Sequence, residues 1–157
     1  MKIGSYIYKG KTSYGVEVQD GIFDLGSRIS DKYPNLQILI RSFALAEANK
    51  LSSGKSPDFS QEDIIFLPLM PDNINIYCAG INYLDHIQET GRTRPEKPTL
   101  FLKTYQSMVG HLENLVCPSA SEQYDFEGEL AVIICKPGKN IAKDNRAVSY
   151  THLTLPT

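Results

Sequence analysis

Five consecutive apolar residues, Leu130-Ala131-Val132-Ile133-Ile134, follow directly on Asp125-Phe126-Glu127-Gly128-Glu129. Side chains alternate along a strand, so Asp125, Glu127 and Glu129 share one face with Ala131, Ile133 and Cys135, while Phe126, Gly128, Leu130, Val132 and Ile134 take the other. A run that is apolar on both faces reads as a strand covered on both sides, and such a strand needs a sheet with other layers packed on it. The sequence therefore predicts a strand over residues 124–134, closed by Lys136-Pro137-Gly138-Lys139, with three acids where it emerges from the core.

Same-face neighbours on a strand are about 6.6 Å apart, close enough for like charges to repel and for two glutamates to converge on one cation. Hard carboxylate oxygens suit magnesium, manganese or calcium better than zinc or copper. On the residues alone two readings stay open, a solvated strand end and a divalent-metal site.

A second constellation precedes the acid row. Asn82 reads as a helix N-cap, with Asp85 three residues on, and the helix should run from Tyr83 to about Thr90, where Gly91 stops it. His86 and Glu89, three apart, project from one face, so the carboxylate could orient the imidazole and make it a general base. A surface pair is the alternative reading. Arg92, Arg94 and Lys97 follow on a loop marked by Pro95 and Pro98, either solvated or available to a substrate carboxylate. Buried strand character is expected for Ile74 to Ala79, and a short apolar strand for Leu100-Phe101-Leu102.

The first seventy residues are punctuated differently. Ile3 to Tyr8, Tyr14 to Val18 and Ile22 to Leu25 are separated by Lys9-Gly10-Lys11 and Gln19-Asp20-Gly21, which predicts an antiparallel meander. After Pro34, apolar residues at Leu36, Leu39, Ile40 and Phe43 have the spacing of a helix with one buried face, and that helix should lie on the sheet. A Ser-, Gly- and Pro-rich stretch from Leu51 to Pro57, then Pro68 and Pro71, suggests a boundary near residue 70.

Composition narrows the function classes. Sixteen basic against eighteen acidic residues give a net charge of -2 with no long run of one sign, so no nucleic-acid footprint is visible and a small-molecule partner is expected. Cys78, Cys117 and Cys135 lack CxxC spacing, which argues against a thiolate zinc site and a disulfide framework and favours the reducing cytoplasm. The start lacks a signal-peptide core and no apolar stretch is long enough to span a membrane.

Two stretches carry a family resemblance: Ile76 to Lys103, with Asn82-Tyr83-Leu84-Asp85-His86 and Pro98-Thr99-Leu100-Phe101-Leu102-Lys103, and Tyr124 to Ile134. Both resemble the fumarylacetoacetate hydrolase family, strongly over residues 74–141, with the first seventy resembling the small β-rich region that precedes the catalytic domain in many bacterial members. The resemblance implies an α+β, mostly β fold: a small N-terminal antiparallel β domain with a helix over 1–70, then the truncated start of a mixed β-roll catalytic domain over 71–147. It implies metal-ligand roles for Glu127 and Glu129, with Mg2+ or Mn2+ as the ion and Ca2+ as a further option. Asp125 is not a ligand in this analogy, and His86 and Glu89 become a catalytic pair.

The implied substrate is a 2-oxo acid, foremost an acylpyruvate or fumarylpyruvate-like compound of aromatic breakdown whose C–C bond is hydrolysed. Oxaloacetate decarboxylation and 2-hydroxymuconate-type isomerisation are the alternatives within the family, and a non-catalytic β-rich binding module is the alternative outside it. A homodimer is implied for the full-length enzyme. The family's third metal carboxylate lies in a later segment that does not appear after Asn145. Residues 148–157 instead resemble translated sequencing adapter, so the expectation is a non-native tail on an incomplete, inactive piece.

Overall fold

The computed structural model describes residues 1–70, 74–126, 128–148 and 150–154, by backbone alone from residue 146 onward. Strands β1 (Ile3–Tyr8), β2 (Lys11–Val18) and β3 (Gly21–Asp24) form the expected meander. Both connections are two-residue turns with positive φ throughout: 47° and 76° at Lys9 and Gly10, 48° and 60° at Gln19 and Asp20. That is the backbone twist that joins antiparallel strands tightly, and Gly, Asp and polar residues tolerate it best. A two-residue β4 (Phe59–Ser60) and β5 (Ile64–Phe66) complete a sheet in the order β4-β3-β2-β1-β5, antiparallel throughout.

Pleating separates two cores. Tyr14, Val16 and Phe23 point to one face, where they meet Leu25, Tyr33, Leu36, Leu39, Ile40, Ala44 and Ala48. Tyr6, Ile22 and Ile64 take the opposite face with Tyr8, Phe59 and Phe66 around them. Three helices serve the first core: α1 (Gly26–Ile29), α2 (Leu36–Arg41) and α3 (Leu45–Ser52). Asn35 caps α2 by accepting a hydrogen bond from the Ile38 N–H at 2.9 Å. Leu36, Leu39 and Ile40 are buried against the sheet as their spacing predicts.

Phe43 departs from the expected helical face. Helix α2 ends at Arg41, and Phe43 follows its C-cap with φ 57°, its ring 54% exposed. The Ala44 N–H bonds back to the Leu39 carbonyl and the Phe43 N–H to that of Ile40, the paired bonds of a left-handed helix stop. Once the backbone turns left-handed, helical periodicity no longer governs where the side chain goes.

The rest of the chain builds two hairpins. Strands β6 (Asn75–Gly80) and β7 (Thr99–Thr104) pair antiparallel, with α4 (Leu84–Glu89) between them in sequence. The expected burial of Ile74 to Ala79 is not met: β6 alternates between exposed and half-buried positions, Tyr77 is 68% exposed, and all of β7 is exposed. A two-stranded sheet gives its own side chains little cover, and those that nothing else packs on stay in water.

The expected strand over 124–134 is likewise shortened. Only Ala131–Ile134 (β8) is strand, paired antiparallel with β9 (Tyr150–Thr154), and the register shifts between Ile133 and Ile134. Strand conformation persists where another backbone supplies ladder hydrogen bonds, and among the described residues 124–130 have no pairing strand. Val132 and Ile134 remain exposed, whereas Ile133 and Cys135 pack against the core of the first seventy residues, as do Met70 and Ile74. The fold is α+β and mostly β.

Candidate functional site

The turn from β6 into α4 is strained. Ile81 has φ 55°, a left-handed conformation that a β-branched side chain disfavours strongly, and an outlier of this kind persists only where its surroundings hold it. Two residues on, Tyr83 occupies the N-cap position in place of the expected Asn82, its carbonyl accepting from the Ile87 N–H at 3.1 Å. No side chain caps this end, and Asp85 lies in the first turn, where a carboxylate favours the helix's positive pole.

Gly91 ends α4 as expected, with φ 63°. The Arg92 N–H reaches the Ile87 carbonyl and the Gly91 N–H that of Gln88, both at 3.2 Å, so the helix stops in a Schellman motif. Ile87 is the buried residue of α4, His86 is half-buried, and Glu89 is exposed. Thr90 donates its hydroxyl to the His86 carbonyl at 2.8 Å, which fixes the backbone of the helix's last turn. Arg92, Arg94 and Lys97 are exposed on the following loop.

The acidic segment approaches this helix at one defined point. Leu130 donates its backbone N–H to the Tyr83 hydroxyl at 3.3 Å, a contact across 47 residues of sequence. Glu129 is therefore bonded in sequence to a residue held at the start of the His86 helix, and its carboxylate is exposed. Asp125 turns back to accept from the Phe126 N–H at 2.8 Å. Glu127 lies outside the described residues. Among the described residues no group of three or more His, Cys, Asp or Glu side chains gathers to hold a metal ion. Glu129 offers the hard oxygen donor that magnesium or manganese prefers. Sequence reasoning gave Tyr83 no role, and nothing local to it signals the distant Leu130.

A matched family model covers residues 75–153, described as the fumarylacetoacetate (FAA) hydrolase C-terminal domain. The chain belongs to the fumarylacetoacetate hydrolase family. The family match takes in β6, α4, β7, the acidic segment and β8, and it runs into β9. Among curated relatives, the mitochondrial oxaloacetate tautomerase fahd2 of Xenopus laevis is 33% identical over 148 residues, 87% of this chain and 45% of the relative. The human mitochondrial oxaloacetate tautomerase FAHD2A is 34% identical over 97 residues, 62% of this chain and 31% of the relative. A crystal structure described as an HpcE protein from Mycobacterium smegmatis superposes with a TM-score of 0.75 at 22% identity, over 96% of this chain and 53% of that one, which establishes a shared fold. The chain thus spans less than half the length of these curated relatives.

A second polar cluster lies in the first seventy residues. Tyr6 and Ser13 both donate their hydroxyls to Asp24 Oδ1, at 2.8 and 2.6 Å, beside an open cavity of about 460 Å3 that Tyr8, Lys11 and Phe59 also line. Burial, then the Asp24 hydrogen bond, pushes the Tyr6 phenol well above its ordinary range. Both hydroxyls are thus committed to one oxygen of the Asp24 carboxylate. Among the described residues no helix is long and apolar enough to cross a membrane.

Proposed function

We propose that this chain represents a divalent-metal-dependent enzyme acting on a 2-oxo acid, with Glu127 and Glu129 as metal carboxylates and His86, oriented by Glu89, as the proton-transfer base. The observation that carries the reading is the Leu130 to Tyr83 hydrogen bond, which brings the acidic segment to the start of the helix that bears His86 and Glu89. Bound between hard oxygens, Mg2+ or Mn2+ would supply positive charge to stabilise an enolate developing on the substrate. The half-buried imidazole would accept a proton within that site, and the carboxylate one turn away would orient it.

Two reactions draw on the same residues. In C–C hydrolysis of an acylpyruvate, His86 would take a proton from the attacking water. In oxaloacetate tautomerisation, the reaction named for the frog and human relatives, it would move a proton between carbon and oxygen, exchanging a C–H for an O–H bond with every C–C bond left intact. Those names favour testing oxaloacetate first. Assays of enol-to-keto conversion and of acylpyruvate cleavage, each with Mn2+, separate the two: loss of cleavage alone in His86→Ala supports water activation. Proton shuttling predicts that both activities are lost.

The metal itself is tested without turnover. A ligand that binds only the folded state raises its melting temperature, so millimolar Mg2+ or Mn2+ should stabilise the protein, and Glu127→Gln and Glu129→Gln should each weaken the effect. No shift with either ion would sink the enzyme reading in favour of a binding module. The division of the chain near residue 70 and the homodimer are part of the same proposal, to be tested by limited proteolysis and by sedimentation. A non-native origin of residues 148–157 is proposed too, and independent sequencing of the source DNA decides it.

A further inference from the structure

Tyr83 joins three features that the family motifs do not connect. Its backbone starts α4 by accepting the Ile87 N–H, the strained Ile81 two residues earlier sets the direction in which it leaves β6, and its hydroxyl receives the Leu130 N–H at 3.3 Å. Leu130 in turn sits between Glu129 and β8, and β8 is anchored from the other side by Ile133, which packs on the core of the first seventy residues. The backbone that carries the Glu129 carboxylate is thus pinned by one polar tether and one apolar contact. Among the described residues, 124–126 and 128–130 have no strand pairing to hold them, and the tether joins this segment to the start of α4. A phenol at the N-cap position with no capping bond of its own is free of local duties on α4.

We propose that Tyr83 is a positioning residue: by accepting the Leu130 N–H it fixes the Glu129 carboxylate relative to the His86 helix. The inference rests on the reading of Glu129 as a metal ligand. Groups that orient a metal ligand change affinity without touching the ion, since a ligand that must be ordered on binding binds less tightly.

The test uses the chain with Mn2+ alone as the probe, in two measurements. Hydrogen exchange at the Leu130 amide, followed by NMR, should quicken in Tyr83→Phe by about 3- to 10-fold, the scale of one net hydrogen bond. The Mn2+ dissociation constant, read from the electron paramagnetic resonance of free Mn2+, should weaken by about 10-fold in the same variant, as for other outer groups that orient ligands. Leu84→Ala, a change at an exposed neighbour, should move neither. Unchanged Leu130 exchange in Tyr83→Phe overturns the inference. So does faster exchange with unchanged Mn2+ affinity, if Glu129→Gln abolishes binding; that result leaves the metal reading standing. Mn2+ affinity that Glu129→Gln does not alter, or no Mn2+ binding at all, marks failure of the metal reading and takes the inference with it.

Discussion

The Leu130 backbone N–H and the Tyr83 hydroxyl lie 3.3 Å apart, linking the end of the acidic segment to the first residue of the turn that opens α4. Two motifs that resemble a metal strand and a base-bearing helix are therefore joined by a hydrogen bond of the chain's own.

Because the two glutamates are proposed to share one cation, their removal should not be additive. Glu127→Gln and Glu129→Gln are each expected to abolish most Mn2+-dependent thermal stabilisation, and the double variant to lose little more. Differential scanning fluorimetry over a Mn2+ series checks this. Fully additive losses would point to two independent weak sites.

Phe43 holds a left-handed backbone for which an L side chain is poorly suited. Phe43→Gly should raise stability by about 0.5–1 kcal/mol, since glycine adopts that conformation without the Cβ clash and the half-exposed ring contributes little packing. Urea unfolding should show a higher midpoint at unchanged slope.

Arg28 and Asp58 form a two-pronged ion pair, both N···O distances 2.8 Å, and the Asp24 N–H adds a third bond to Asp58 at 2.7 Å. The Arg28 guanidinium, aided by that N–H, holds the Asp58 carboxyl below its usual range. A depressed folded value means that the stabilisation is complete above about pH 4 and is lost as pH falls through the folded value. The groups are 37% and 31% exposed, so the pair is worth at most about 1 kcal/mol. Asp58→Asn should flatten the decline of the urea midpoint below about pH 4.

Tyr14 donates its hydroxyl to the Tyr33 carbonyl inside the main core. Burial pushes its phenol up to about 12, so the unfolded chain loses this proton first as pH rises. Stability should therefore fall between about pH 10 and pH 12, and Tyr14→Phe should weaken that dependence. At neutral pH the same variant strands a buried carbonyl and should cost about 1–3 kcal/mol. Unfolding curves at pH 7 and pH 11 measure both effects.

Much of the first half is written locally. Lys9-Gly10 and Gln19-Asp20 admit the positive φ angles that hairpins need, Leu36, Leu39 and Ile40 fall on one helical face, and Gly91 stops α4 by the same backbone freedom. The motifs around His86 and Glu129 are also legible, because residue identity and spacing carry them. Tertiary structure decided what depends on a distant partner. The strand expected over 124–134 survives only where β9 meets it, the apolar faces of β6 to β8 stay largely exposed for want of a covering layer, and Phe43 turns outward with a backbone closed by the Leu39 and Ile40 carbonyls. Tyr83 is the plainest case. Its side chain has no capping bond at the helix start, and the hydrogen bond that links it to the acidic segment comes from Leu130, brought there only by folding. Turns and helical spacing are satisfied within a few residues, whereas ladders, layers and tethers require backbone and surface from elsewhere in the chain.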